Sequence, residues 1–308
     1  MPTPVERLQR SGITPDRALG QNFLIDPNIL DVIERSASLG RNDVVLEVGP
    51  GLGVLTERLL DRCRLVHCVE LDRRLAALLQ EEFGSRPGFR IHRADAMRLD
   101  FAALDPPPGK FVANLPYNVA APLVMKSIQE LPTVKLWCLM VQKEIADRLF
   151  AAPGTAAYGA ISVMIQLMTL KVSSRNISGS VFFPRPRVRS SLLVFRRRPG
   201  TRFTARNFTA VKEIVYAAFG QRRKKLANSL AGADIVPEPL RPVEAHRRRQ
   251  AVEELLGRLD VPLSARPQDL TPQQFEDLAR LLIEQAKAAD RPADSGRSGG
   301  GKGAGGNA

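Results

Sequence analysis

"LEVGPGLGVLTERLL", residues 46–60, reads as the end of a strand, a glycine-rich turn and the start of a helix. The apolar run "DVVLEVG" (43–49) stops at Gly49, Gly51 and Gly53 follow at alternate positions, and apolar residues then recur at helical spacing. Glycines at such a turn let the backbone come close to a ligand, and the first N–H groups of the following helix face the same space. The spacing is Gly-x-Gly-x-Gly, which differs from the Gly-x-Gly-x-x-Gly of dinucleotide binders, and the chain has no Gly-Lys-Ser/Thr phosphate loop.

The segments around this stretch repeat the pattern. "RLVHCVELD" (64–72), "FRIHRAD" (89–95), "KFVANL" (110–115) and "VKLWCLMV" (134–141) read as strands, separated by helical stretches such as "RRLAALLQEEF" and "VAAPLVMKSIQE". Pro122 falls in the first turn of the latter, where proline is tolerated. Residues 28–38 form another helix, and "SSLLVFRRR" (190–198) a late strand. Alternation of this kind predicts an α/β fold with a Rossmann-like parallel sheet covered on both faces. Beyond about residue 200 the pattern becomes helical, in "NFTAVKEIVYAAFGQRRKKLANSL", "AVEELLGRL" and "TPQQFEDLARLLIEQAKAA". We therefore expect a Rossmann-like domain over 1–199, a small all-helical C-terminal domain over 200–288, and a disordered glycine-rich tail over 289–308.

Acidic residues stand at two successive strand ends. Glu70 lies nineteen residues past Gly51, a distance at which a carboxylate can accept hydrogen bonds from both ribose hydroxyls of a nucleoside. Asp95 closes the next strand and can accept from the exocyclic amine of an adenine. Together with Gly49 and Gly51 they form a nucleoside-binding row on the carboxyl edge of the sheet, where open α/β folds bind ligands. A nucleoside cofactor with no phosphate signature points to S-adenosylmethionine.

The fourth strand ends in "NLPY", Asn114 to Tyr117. A turn would explain asparagine and proline here, but beside a methyl donor these residues suit a particular chemistry. The lone pair of an aromatic amine is delocalised into its ring, so the amine attacks a methyl group only once its hydrogens are drawn out of plane. The Asn114 side-chain oxygen and a backbone carbonyl of the Leu115–Pro116 segment can do this, with proline holding the direction, while Tyr117 stacks on the base. The gain comes from positioning and electrostatic complementarity. In "VFFPRPRVRSS" (181–191), Phe182 or Phe183 is placed to close the other face of an extruded base. Phe182 is the candidate, and Arg185, Arg187 and Arg189 can grip the neighbouring phosphates.

The charge agrees with such a substrate. The chain is +13 overall, whereas residues 171–225 alone carry fifteen lysines and arginines against Glu213, a net +14. The remainder is therefore close to neutral. A basic block of this kind meets a polyanion, by default nucleic acid, and Arg222, Arg223, Lys224 and Lys225 are its densest part. Cys63, Cys68 and Cys138 lack metal-ligand spacing and read as reduced thiols, so no metal is expected. No apolar run is long enough for a membrane helix; we expect a cytoplasmic protein.

"RALGQNFLID" (17–26), "EVGPGLGVLT" (47–56), "VELD", "ADAM", "NLPYN", "FFPRPRVRSS" and "AFGQRRKKLANSL" (218–230) together resemble the bacterial small-subunit ribosomal RNA adenine dimethyltransferase A family, over about residues 10–285. Val54, where a small residue is frequent, is a slight departure. The resemblance implies S-adenosylmethionine-dependent dimethylation of the N6 amines of two adjacent adenosines in the 3′-terminal hairpin loop of 16S rRNA. The expected partner is the small ribosomal subunit or its precursor, the expected state a monomer, and the step a late one in subunit biogenesis. It also implies cofactor contacts by Asn22 and Leu24, read as part of a lid, and by Gly49, Glu70, Asp95 and Asn114. Two other readings remain: a large-subunit rRNA adenine N6-methyltransferase of the drug-resistance type, or a non-catalytic nucleic-acid-binding assembly or transcription factor on the same fold.

Overall fold

The computed structural model describes residues 4–15, 21–117, 119–200, 205–233, 240–241 and 243–289. Helix α1 (Pro4–Ser11), the short strand β1 (Phe23–Leu24) and helix α2 (Pro27–Ala37) precede the main sheet. Strands β2 (Val44–Val48), β3 (Leu65–Glu70), β4 (Phe89–Arg93), β5 (Lys110–Asn114) and β6 (Leu136–Gln142) alternate with helices α3 (Val54–Arg62), α4 (Arg73–Phe83) and α5 (Ala120–Glu130). Helices α6 (Lys143–Leu149) and α7 (Ala160–Met168) lead into strands β7 (Thr169–Ile177), β8 (Phe182–Phe183) and β9 (Ser190–Arg197). Four helices follow: α8 (Ala205–Gly220), α9 (Leu226–Ala231), α10 (Ala245–Arg258) and α11 (Pro272–Ala289).

The main sheet has the order β4-β3-β2-β5-β6-β9-β7. Its first five strands are parallel, while β9 runs antiparallel to β6 and β7 antiparallel to β9. The sheet is therefore mixed, where the sequence pattern predicted a parallel one. Strand β7 carries no sequence signal because Lys171 to Asn176 are all exposed, which leaves neither an alternation nor an apolar run. It lies at the sheet edge, where Lys171 and Arg175 discourage pairing with another chain, and its register slips between Lys171 and Ser173.

Side chains alternate across the sheet. Val45, Val112, Cys138 and Val194 pack against Ile33 of α2, Leu59 of α3 and Leu79 of α4. Leu46, Phe111, Trp137 and Phe195 face the other way, against Leu123 of α5 and Met164 of α7. The buried Trp137 satisfies its indole by donating to Ser127 Oγ at 2.9 Å and stacks on Phe195 at 5.2 Å between ring centres. This second cluster runs on without a break into the C-terminal helices through Ile214, Leu255 and Phe275, and the Tyr158 hydroxyl donates to the Leu270 carbonyl at 2.9 Å.

Two details of the basic block differ from the expectation. Residues 207–230, expected as one helix, are split: α8 ends at Gly220 and α9 starts at Leu226. Gly220, and after Gln221 the four adjacent cations Arg222 to Lys225, make a poor place to continue a helix. In addition, Arg197 and Arg198 serve the fold. The Arg197 guanidinium donates to the carbonyls of Ile128, Leu131 and Val134 at 3.2, 2.9 and 2.8 Å, capping the end of α5, and lies 5.1 Å from the Trp137 ring centre. Arg198 donates to the Gln166 carbonyl. The tail expected to be disordered falls, from residue 290 on, outside the described residues.

Candidate active site

The sheet turns its direction of winding between β2 and β5, since β3 and β4 lie to one side of β2 and β5 and β6 to the other. At such a switch point the loops beyond the strand ends separate and leave a cleft. Here Asn22, Leu24, Gly49, Gly51, Glu70, Asp95 and Asn114 to Tyr117 all line the cleft. Gly51 has φ +58°, and a β-carbon on it would stand 2.9 Å from Phe23 Cδ1. Gly49, at φ +69°, would meet Pro116 Cδ at 3.2 Å. The glycine loop therefore touches both the β1 segment and the "NLPY" turn, and a side chain at either position would push them apart.

The acids are oriented by backbone. Glu70 accepts from Gly51 N–H at 3.3 Å through Oε2 and from Asp72 N–H at 2.9 Å through Oε1; burial pushes its carboxyl upward while these bonds oppose the shift. Asp95 accepts from Met97 N–H at 2.8 Å with one oxygen, and the other lies 3.7 Å from Arg98 Nε. A third acid was not singled out by sequence pattern. Glu47, 1% exposed on the cleft floor, accepts from Thr56 Oγ1 at 2.7 Å. Burial raises its pKa to about 8. No lysine or arginine lines this cleft among the described residues. With Glu47 held neutral by burial, Glu70 and Asp95 remain as acids with no such cation lining the cleft, which suits a positively charged nucleoside and opposes a phosphate.

Asn114 sits at the tip of β5. Its Nδ2 donates to the Asn22 carbonyl at 3.0 Å, and because a carbonyl can only accept, this bond fixes which end of the amide faces the β1 segment. Asn114 Oδ1 is shielded from solvent and has no hydrogen-bond partner among the described residues. Beside it the Leu115 side chain is buried in the core, its N–H donates to the Met140 carbonyl at 3.0 Å, and the Pro116 carbonyl accepts a long bond, 3.4 Å, from Val119 N–H. Tyr117 shares a 2.7 Å hydrogen bond with Ser190 Oγ at the start of β9. Burial raises the Tyr117 pKa, so the phenol stays protonated and its ring is tethered. The Gln21 side chain adds a contact with no sequence signal, donating to Asp72 Oδ2 at 3.3 Å.

One aromatic candidate needs correction. Phe182 is 3% exposed and packs in the core with Leu24 and Ile29, because β8 pairs with β1 in a register that sets Phe182 opposite Leu24. Phe183, opposite Phe23, is 46% exposed and is the one available to a ligand. Arg185, Arg187 and Arg189 are exposed on the following loop. Arg189 also lines a second cleft with Lys143, Arg148, Asp147, Val188 and Arg222. Arg222 is not wholly available there: its guanidinium donates to the carbonyls of Ala156 and Thr155 at 3.0 and 3.1 Å. Arg223, Lys224 and Lys225 are exposed in the turn between α8 and α9.

Known proteins resemble this chain over most of its length. A family model described as ribosomal RNA adenine dimethylase matches residues 14–237. The ribosomal RNA small subunit methyltransferase A of Rubrobacter xylanophilus is 42% identical over 268 residues, which is 87% of this chain and 95% of that one. Among solved structures, a dimethyladenosine transferase from Plasmodium falciparum superimposes with a TM-score of 0.71 at 24% identity, covering 86% of this chain and 98% of that one. The 23S rRNA methyltransferase ErmE superimposes with a TM-score of 0.59 at 28% identity, covering 85% and 99%.

Proposed function

The chain belongs to the ribosomal RNA adenine dimethylase family, and on that premise we propose that it dimethylates the N6 amines of two adjacent adenosines in the 3′-terminal hairpin loop of 16S rRNA. S-adenosylmethionine is the methyl source, the small ribosomal subunit or its precursor is the partner, and the protein acts as a cytoplasmic monomer late in subunit assembly. The observation that carries this reading is Asn114 Oδ1, a shielded acceptor without a donor. A buried orphan of this kind costs about 1–3 kcal/mol, a cost that is recovered when an amine hydrogen arrives with the substrate.

The residues divide the work as follows. Glu70 receives the ribose hydroxyls and Asp95 the adenine amine of the cofactor, between Gly49 and Gly51 on one side and Asn22 and Leu24 on the other. Its sulfonium supplies an electrophilic methyl group, so no strong base is required. Asn114 Oδ1 and the Leu115 carbonyl draw the target amine's hydrogens out of the ring plane, Tyr117 stacks on one face of the base, and Phe183 closes the other. The amine nitrogen would form the new bond to the methyl carbon as the methyl–sulfur bond breaks with its electron pair passing to sulfur; S-adenosylhomocysteine is the leaving group, and the methylated amine then releases its proton to water. Arg185, Arg187, Arg189 and the Arg223–Lys225 turn hold the RNA backbone.

The 23S rRNA methyltransferase ErmE shares the fold, but the curated relatives at 34–44% identity are named small-subunit methyltransferases, which favours the small subunit. The assembled "NLPY" site argues against a non-catalytic role. The test is transfer of tritiated methyl groups to undermethylated small subunits and, separately, to protein-free large-subunit RNA, followed by nucleoside analysis. N6,N6-dimethyladenosine from the first substrate is expected; product only from the second, or from neither, would overturn the assignment.

A further inference from the structure

Arg7, on α1, is 4% exposed. Its Nη2 lies 2.5 Å from Glu57 of α3 and 2.9 Å from Glu82 of α4. Its Nη1 donates to the Leu52 carbonyl at 3.2 Å, in the glycine loop between Gly51 and Gly53. The guanidinium stands 5.8 Å from the centre of the Phe83 ring, and that same ring lies 2.5 Å from where a Gly53 β-carbon would be. One side chain thus joins α1, α3, α4 and the loop. Around it, Ile13, Phe23, Leu52 and Leu75 form a small apolar cluster of their own, with Leu8 against it. Ile13 and Phe23 thereby pack with Leu52 of the glycine loop, and the residues just before β1 are fastened by Gln21 to Asp72 and by the Asn22 carbonyl to Asn114. Arg7 itself does not line the cleft.

We propose that Arg7 is a positioning residue for the cofactor, acting through the Leu52 carbonyl and the apolar cluster in which Leu52 packs with Phe23. By fixing the glycine loop to α3 and α4, it sets the spacing between Asn22–Leu24 on one side of the cleft and Gly49–Gly51 on the other. A fork of N–H donors is needed, because two carboxylates and a carbonyl must be held at once. The proposal rests on the reading of this cleft as the S-adenosylmethionine site.

The measurement is calorimetric titration with S-adenosylhomocysteine, alongside melting temperature and the KM for small-subunit particles. Arg7→Met alone would strand two partly buried carboxylates, so the informative protein is the neutral triad Arg7→Met/Glu57→Gln/Glu82→Gln. It is expected to bind S-adenosylhomocysteine about tenfold more weakly, with the KM for the particles unchanged. Arg7→Lys keeps the charge and loses the fork; it is expected to melt as wild type does and to bind about threefold more weakly. Wild-type affinity in a folded neutral triad, or in Arg7→Lys, overturns the proposal. Failure of the wild-type protein itself to bind S-adenosylhomocysteine would instead overturn the cofactor reading on which it stands.

Discussion

At Asn114 one end of the amide is tied to the Asn22 carbonyl and the other has no partner. Replacing it with alanine removes the acceptor and the tie together, while Glu70, Asp95 and the glycine loop stay in place. Asn114→Ala should therefore lower kcat by a factor of about 10²–10³, the usual effect of losing one preorganised polar group. Its affinity for S-adenosylhomocysteine should fall only slightly, and near-normal turnover would remove the amide from the chemistry. Glu47 makes a different prediction. Its pKa in the folded chain is raised to about 8 from 4.5, so folding takes up a proton between those values and stability declines as pH rises through that window. Glu47→Gln should flatten the pH dependence of unfolding by urea between pH 5 and 8, by roughly 3–5 kcal/mol at the alkaline end. An unchanged slope would mean that the carboxyl is ionised at neutral pH.

Among the elements, legibility followed burial. Strands β2, β5 and β6 are almost wholly buried and announce themselves as apolar runs. Strand β7 is exposed nearly end to end and is held by its pairing with β9, a long-range feature that local pattern cannot express. The same limit explains the aromatic pair. Two adjacent phenylalanines point to opposite faces of a strand, and only the register between β1 and β8 determines that Phe182 is the inward one. The acids and "NLPY" were legible because their distances from strand ends are set by the chain itself, whereas the Arg7 and Gln21 contacts join residues about fifty positions apart. The turn between α8 and α9 yields an element-scale prediction. Arg223, Lys224 and Lys225 are exposed there, so changing all three to glutamine should reduce the slope of log affinity against log salt for small subunits by about 2–3, with cofactor affinity unchanged. An unaltered slope would place the turn away from RNA. Arg222 is best left intact in that experiment, since its bonds to the carbonyls of Thr155 and Ala156 anchor a neighbouring loop.

For the molecule as a whole, the hydrophobic cluster on one sheet face continues into the C-terminal helices. Phe275, fully buried on α11, packs within it beside Phe219. If this continuity couples the two regions, Phe275→Ala should cost about 3–5 kcal/mol and lower the melting temperature in calorimetry while leaving a single transition. Two separated transitions would show that the helices unfold by themselves. Coupling of this kind would keep the basic turn at a set distance from the cleft. The hydrogen bond from the Asn114 amide to the Asn22 carbonyl ties the tip of β5 to the residues just before β1. The other end of the same amide is the unpartnered oxygen, so displacing those residues would free the amide to rotate and change where that oxygen points.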